Sequence, residues 1–156
     1  MTLEDLYLEN YPVVYGYLLS LCGSPALAED LTSETFLRAM QKIQTFDGKC
    51  KPSTWLCKIG KNLWLNERRR MRRHVPLYDA DAVPMPDFEE SVLDQAQAQA
   101  VLRRAGALEE PQRQVFFMRA AGASFRDIGD ALGKTETWAR VTFFRTKTKL
   151  LSEMEG

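Results

Sequence analysis

Histidine is almost missing from this 156-residue chain, with His74 the single example. There is no glycine-rich phosphate loop and no nucleophile placed with a base, so nothing offers itself as a catalytic site and an enzyme is not expected. Cysteine is scarce and odd in number: Cys22, Cys50 and Cys57, without a CxxC spacing. An odd set argues for a reducing compartment and against a disulfide framework. With His74 the thiols make four donors, but their spacing matches no zinc knuckle, and cysteine commonly serves as a small buried apolar residue. Neither a metal nor a cofactor is expected. No run approaches the roughly 18 apolar residues of a membrane span, and the start, MTLEDLYLEN, lacks the basic residues of a signal peptide. The expectation is a cytoplasmic protein with no membrane insertion of its own. Net charge is absent too, with 21 Lys and Arg against 21 Asp and Glu. Any affinity for nucleic acid must therefore come from local segregation of charge.

That segregation is plain. The stretch STWLCKIGKNLWLNERRRMRR, residues 53–73, ends in five arginines among the six residues 68–73. Asp79 to Asp94 then holds six acids and no Lys or Arg. Basic residues return at Lys134, Arg140, Arg145, Lys147 and Lys149. The apolar fraction of 45% is enough for packed cores, and the length suits one domain or two small ones.

Almost every ordered segment reads as helix. Leu3, Leu6, Tyr7, Tyr11, Val14, Tyr15, Leu18, Leu19 and Cys22 follow a three-four repeat, with Pro12 a point of interruption or kinking and Gly23 a stop. Ser24-Pro25 starts a second helix, which runs to about Gln44. TFDGKCKP, with Asp47-Gly48, is turn chemistry, and Ser53 reads as the N-cap of a long helix through Arg73. Residues from His74 to Asp87 carry Pro76, Pro84, Pro86 and acids with few periodic apolar positions, which marks a linker. These fourteen residues fully extended reach about 50 Å, enough to hold two modules on sites more than one duplex turn apart.

The second module begins with a helix over Ser91–Leu108 and continues with one that starts at Glu110-Pro111 and ends at Gly122. Ser124 with Asp127 three residues on is a capping pattern, Gly133 suits a left-handed helix end, and Thr135 caps the next helix. Helix, glycine turn and helix together form a helix-turn-helix signature. Gly129 sits mid-helix at a propensity cost of about 1 kcal/mol, which a close approach of the two helices explains.

Each of these features has two readings. In the last helix Ala139, Phe143, Thr146 and Leu150 form a packing stripe. Thr135, Glu136, Trp138, Thr142 and Arg145 lie mostly off it, where a DNA-reading helix meets the major groove. The plainer reading is a helical hairpin with a solvated outer face, and Trp138 fits core, groove or partner contact. In residues 53–73 the interleaved aromatic, amide and basic side chains suit stacking of unpaired bases with phosphate held by cations. Trp55, Ile59 and Trp64 equally suit a core. Glu29, Asp30, Glu34 and Arg38 make either a solvated helix face or a protein-binding one.

Taken in order, SPALAEDLTSETFLRAM, TWLCKIGKNLWLNERRR, the acidic Pro-containing linker and PQRQVFFMRAAGASFRDIGDALGKTETWARVTFFRTKTKL resemble a bacterial alternative sigma factor of the extracytoplasmic-function (ECF) group of the sigma-70 family. The resemblance runs from about Leu6 to Leu150. It implies an all-α fold of two small helical domains, a region 2-like bundle over 1–74 and a region 4-like helix-turn-helix bundle over 90–156, joined by a flexible linker at 75–89. It implies a protein that directs core RNA polymerase to specific promoters, assists melting at the minus-10 element and is held by an anti-sigma partner. Glu29, Asp30, Leu31, Glu34, Phe36 and Arg38 would meet the polymerase. Phe46, Lys49, Lys51, Lys58, Lys61, Asn62, Asn66, Arg69, Arg70 and Arg73 would hold the minus-10 strand. Ser124, Arg126, Thr135, Glu136, Trp138, Arg140, Thr142 and Arg145 would read the minus-35 duplex. Ser33 departs from the family's usual glutamine. Trp138 and Val141 stand where the family usually has small or threonine-like residues, and Thr142 where it has a basic one. The alternative function is a stand-alone helix-turn-helix regulator acting as a dimer on a palindromic operator.

Overall fold

The computed structural model describes residues 2–74, 100 and 103–155. The linker expected at 75–89, most of the helix expected over Ser91–Leu108 and the side chain of Arg73 lie outside the described residues. Within them every regular element is helical: α1 (Leu3–Cys22), α2 (Pro25–Lys42), a 3-10 turn (Ile43–Thr45), α3 (Pro52–His74), α4 (Gln112–Ala120), α5 (Phe125–Leu132) and α6 (Glu136–Glu155).

α1 starts in a reciprocal cap. The Asp5 amide donates to the Thr2 hydroxyl at 3.1 Å and the Thr2 amide donates to the Asp5 carboxylate at 3.2 Å. Those bonds from Thr2 hold the Asp5 carboxyl below its ordinary value. Pro12 does not interrupt the helix. The carbonyl it leaves without an amide partner belongs to Leu8, an exposed residue on the solvent side of the helix, where the lost bond costs least. Gly23 closes the helix in the left-handed conformation, φ 69°. Ser24 caps α2, accepting from the Leu27 amide at 3.2 Å, with Pro25 in the first turn. α3 begins one residue earlier than its expected cap: Ser53 is buried inside the first turn, and the Trp55 amide donates to the Lys51 carbonyl at 3.1 Å.

α1 is the axis of the molecule. α2 and α3 pack against it, and all three helices meet at Gly60, where a Cβ would stand 3.1 Å from Thr35 Oγ1 and 3.2 Å from a Leu18 methyl. Thr32 and Thr35 are fully buried, and their hydroxyls donate to the Ala28 and Leu31 carbonyls at 2.6 and 2.7 Å. Their polarity is therefore satisfied within the helix. The most extensive pairing of α1 is with α4, from the other half of the chain. Leu18, Leu19 and Leu56 join Val115, Met118 and Ile128 in one continuous core.

The second half builds the expected helix-turn-helix. Ser124 Oγ accepts from the Asp127 amide at 3.0 Å, and Gly133 adopts φ 70° while the Lys134 amide donates to the Gly129 carbonyl at 2.7 Å. A Cβ on Gly129 would fall 2.7 Å from the Thr135 carbonyl oxygen, so this glycine lets α5 touch the start of α6. Thr135 Oγ1 accepts from the Trp138 amide at 3.0 Å and caps α6. Ala139, Thr146 and Leu150 are buried along the stripe with Phe143 half-buried beside them. Phe143 lies 5.9 Å from Phe116 and 5.7 Å from Phe125, between ring centroids.

Candidate nucleic-acid interface

α3 separates its two chemistries by face. Leu56, Cys57 and Gly60 are buried, whereas Lys58, Lys61, Asn62, Asn66, Arg68, Arg69 and Arg70 are exposed. From Lys58, spacings of four and seven residues lead to Asn62 and Arg69, which places them on one side of the helix. The stretch from Lys58 to Arg69 extends about 16 Å. A rigid helix thus presents cations and an amide in fixed order, the arrangement needed to hold phosphates and still hydrogen-bond a base edge. Arg70 is the exception in its charge: its guanidinium grips Glu67 through two bonds, including Nε to Oε2 at 3.2 Å. That fork lowers the Glu67 carboxyl and raises the Arg70 guanidinium.

The loop that leads into α3 carries Lys49 and Lys51, both exposed, and Phe46, half-buried against Trp55 with ring centroids 4.9 Å apart. Asp47 accepts from the Lys49 amide at 3.0 Å and shapes the Gly48 turn, φ 76°. Phe46 and Trp55 border a cavity of about 360 Å³, walled by Thr2, Leu3, Leu6, Ile43 and Pro52. Apart from Thr2 its walls are apolar and aromatic, suited to a flat ring. Trp55 and Trp64 are both half-buried, so each contributes to the core while keeping an edge at the surface.

On α6, Thr135, Glu136, Arg140 and Arg145 are exposed, Trp138 and Thr142 are half-buried, and Ser124 and Arg126 stand exposed at the start of α5. The Lys134 ammonium lies 5.7 Å from the centre of the Trp138 ring. Arg140 is oriented twice, by Glu136 Oε1 at 3.2 Å and by the Phe125 ring at 5.4 Å, and Arg119 also lies over that ring at 4.2 Å. Such a tethered guanidinium loses little freedom on meeting an acceptor.

The α2 face holds Glu29, Asp30 and Arg38 in the open, with Glu34 half-buried and 3.2 Å from Arg38 Nε. Leu31 belongs to the core beneath, and Phe36 is half-buried with its ring 4.9 Å from Tyr7. The expected docking residues on this helix include Leu31 and Phe36 beside the charges, but leave out the rest of its exposed apolar part. Leu37 is 54% exposed and Met40 52%, next to exposed Tyr7 and Ile43. The signal was available: residues 36, 37, 40 and 43 share a side of the helix that the buried positions 28, 31, 32, 35 and 39 do not use. Among the described residues no cluster of three or more His, Cys, Asp or Glu is placed to hold a metal, and no helix is long and apolar enough to cross a membrane.

Comparison with known proteins gives a consistent result. Residues 6–74 match the family model for sigma-70 region 2. The chain is 34% identical over 137 residues to the ECF RNA polymerase sigma factor BldN of Streptomyces coelicolor, an alignment covering 84% of this chain and 52% of BldN, so the chain spans about half that relative's length. It is 30% identical over 162 residues to the ECF RNA polymerase sigma factor EcfG of Rhodopseudomonas palustris, covering 99% of this chain and 87% of that one. Its fold is similar to that of the sigma factor RpoE of Bartonella quintana, solved in complex with the anti-sigma factor NepR: TM-score 0.63, 22% identity, 97% of this chain and 96% of the other covered.

Proposed function

We propose that this chain, which belongs to the ECF RNA polymerase sigma factors, directs core RNA polymerase to specific promoters and helps to open the minus-10 element. The observation that carries this reading is the division of α3 into a buried apolar face and an exposed face of Lys58, Lys61, Asn62 and Arg69.

The steps follow from the faces already described. Tyr7, Phe36, Leu37 and Met40, rimmed by Glu29, Asp30 and Arg38, dock on the polymerase. Apolar surface supplies the affinity and the charges set the register. Burying a Leu or Met side chain fully contributes about 1.5–3 kcal/mol, so two half-exposed ones are a substantial anchor. Lys58, Lys61 and the arginine run then draw the phosphates of one strand along α3. Asn62 and Asn66 offer donors and acceptors to an unstacked base, and the cavity beside Phe46 and Trp55 offers it apolar walls. These contacts exist only with unpaired DNA, so they favour melting. α6 enters the minus-35 major groove with Arg140 and Arg145 as donors, and the bulk of Trp138 alters which sequence is accepted.

In this reading residues 1–74 serve the polymerase and the minus-10 strand, 90–156 the minus-35 duplex, and 75–89 connects them. The chain carries out no catalysis of its own, needs no cofactor, works in the cytoplasm and is held in check by an anti-sigma partner. The test is co-purification of the full chain with bacterial core polymerase. A stoichiometric complex that transcribes from fragments of the source genome is the expected result, and no complex at micromolar concentrations overturns the reading.

A further inference from the structure

α6 carries apolar side chains that its packing stripe does not use. Val141 is 39% exposed and Phe144 50%. Phe144 is accounted for by its neighbours, with its ring 5.4 Å from Phe143 and 6.0 Å from Phe125 between centroids. Trp138 is half-buried with part of its surface against the core, and the Lys134 ammonium sits 5.7 Å from its ring centre. The indole is thereby held in place with an edge at the surface. At 3.6 residues per turn, Trp138, Val141 and Arg145 share one side of α6, turned by roughly a third of the circumference or more from Ala139, Phe143, Thr146 and Leu150. Trp138 and Val141 fall in the first two turns after the Thr135 cap, the part of a recognition helix that meets base edges.

The surrounding charge suits a polyanion. From Lys134 to Lys149 there are five cations and one acid, Glu136, and that acid lies 3.2 Å from Arg140. Phosphates are drawn to such a surface, whereas the centre of a protein interface is depleted in lysine. Valine has neither donor nor acceptor in its side chain, so it cannot read a base by hydrogen bonds. What an apolar side chain recognises in the major groove is the methyl group that thymine presents there. Trp138 and Val141 are about 4.5 Å apart along the helix axis, three residues at 1.5 Å each. Neighbouring bases on a strand are about 3.4 Å apart, so the two side chains match adjacent steps.

We propose, on the DNA-reading role given to α6 above, that Trp138 and Val141 read the methyl groups of two adjacent thymines in the minus-35 duplex. Arg145, one turn beyond Val141, fixes the register on a base acceptor or a phosphate. The two apolar contacts add discrimination without adding charge. Each takes a methyl out of water, and one buried methylene, about 0.8 kcal/mol, corresponds to a factor of about four in affinity. No counterion is released by such a contact, so the factor is the same at low and high salt.

The test uses the full chain bound to core polymerase and a pool of duplexes randomised over the minus-35 region. The selected duplexes are expected to carry two adjacent thymines on one strand. The best of them is then remade with uracil, which removes only the C5 methyl, at each thymine in turn. Each replacement is expected to weaken binding about fourfold, and both together about fifteenfold, at every salt concentration. Val141→Ala, at an exposed position, is expected to cut the penalty at one of the two thymines to about twofold or less and to leave the other intact. Trp138→Ala is expected to do the same at the neighbouring thymine; if it loses helical circular dichroism, the uracil duplexes and Val141→Ala carry the test. A selected element without adjacent thymines, uracil bound as tightly as thymine, or a full penalty kept by Val141→Ala would each overturn the methyl readout and leave the proposed function standing. Weaker binding of Val141→Ala to polymerase in the absence of DNA would show a protein-docking face instead and overturn it as well. A complex that enriches no sequence from the pool removes the DNA-reading role of α6, and the methyl readout with it.

Discussion

Gly129→Ala sets two known effects against each other and predicts which one wins. Replacing a mid-helix glycine by alanine ordinarily adds about 1 kcal/mol to helix stability. Here the new methyl would lie 2.7 Å from the Thr135 carbonyl oxygen, 2.8 Å from its carbon and 2.9 Å from the Lys134 carbonyl oxygen. These are backbone atoms of the turn, and the Gly129 carbonyl itself already accepts from the Lys134 amide at 2.7 Å. The turn must shift as a unit, and overpacking of this type costs about 1–3 kcal/mol. The net expectation is a destabilisation of up to about 2 kcal/mol, the difference between those two ranges. Because the atoms displaced belong to the cap of α6, the recognition helix is also re-aimed. Urea unfolding followed by circular dichroism reads the first effect, and binding to a promoter duplex in the polymerase complex reads the second. Gly106→Ala is the internal control, since nothing lies within 4 Å of a Cβ there. It is expected to be neutral or to stabilise by up to about 1 kcal/mol. If Gly129→Ala unfolds at higher urea than wild type and reads the minus-35 element normally, the close approach of α5 and α6 is refuted.

Three further outcomes follow from single contacts. Met40→Asp is expected to leave folding within about 0.5 kcal/mol of wild type, as an exposed site should. It should weaken polymerase binding at least about thirtyfold, from lost apolar burial and a desolvated carboxylate; equal affinity in a titration would remove Met40 from the docking face. Glu67→Gln releases Arg70 from its fork, and one additional phosphate contact should steepen the salt dependence of single-strand binding by about 0.7 in log–log slope. The wild-type pair shows the same release with acid: Glu67 is lowered in the folded chain, so the pair is intact above the ordinary carboxylate range and is lost as pH falls through the lowered value. A slope unchanged between wild type and variant would show that Arg70 already meets phosphate. Burial pushes the Cys57 thiol up to about 12, whereas Cys50 is half-buried in the loop before α3. An aromatic disulfide reagent at pH 8 should modify Cys50 promptly and Cys57 only after unfolding, and equal rates would contradict the burial of α3 against α1.

The parts of this fold that depend on neighbours in sequence were legible from it. Ser24, Ser124, Gly133 and Thr135 act through atoms three or four residues away, so their residue types alone specify the caps and the turn. Gly129 was legible for the same reason, as its partner lies only six residues on. Gly16 was not, because its partners Phe117 and Met118 belong to the far half of the chain, and a lone glycine in an apolar helix reads only as a propensity cost. Pro12 misleads for a related reason: whether it breaks a helix depends on whether the orphaned carbonyl meets water or core. The basic and amide face of α3 was visible as composition, but its division from the core required knowing that Leu56, Cys57 and Gly60 face α1 and α2. The three tryptophans resist assignment by composition because each straddles that division.

Permanganate footprinting of unpaired thymines, on a promoter reconstituted with core polymerase and this chain, tests the central claim most directly. Wild-type chain is expected to produce reactive thymines at the minus-10 element. Asn62→Ala and Arg69→Ala, both at exposed positions on α3, are expected to reduce that reactivity more than they reduce polymerase binding. Melting that proceeds unchanged in both variants would contradict the assignment of the α3 face to the opened strand.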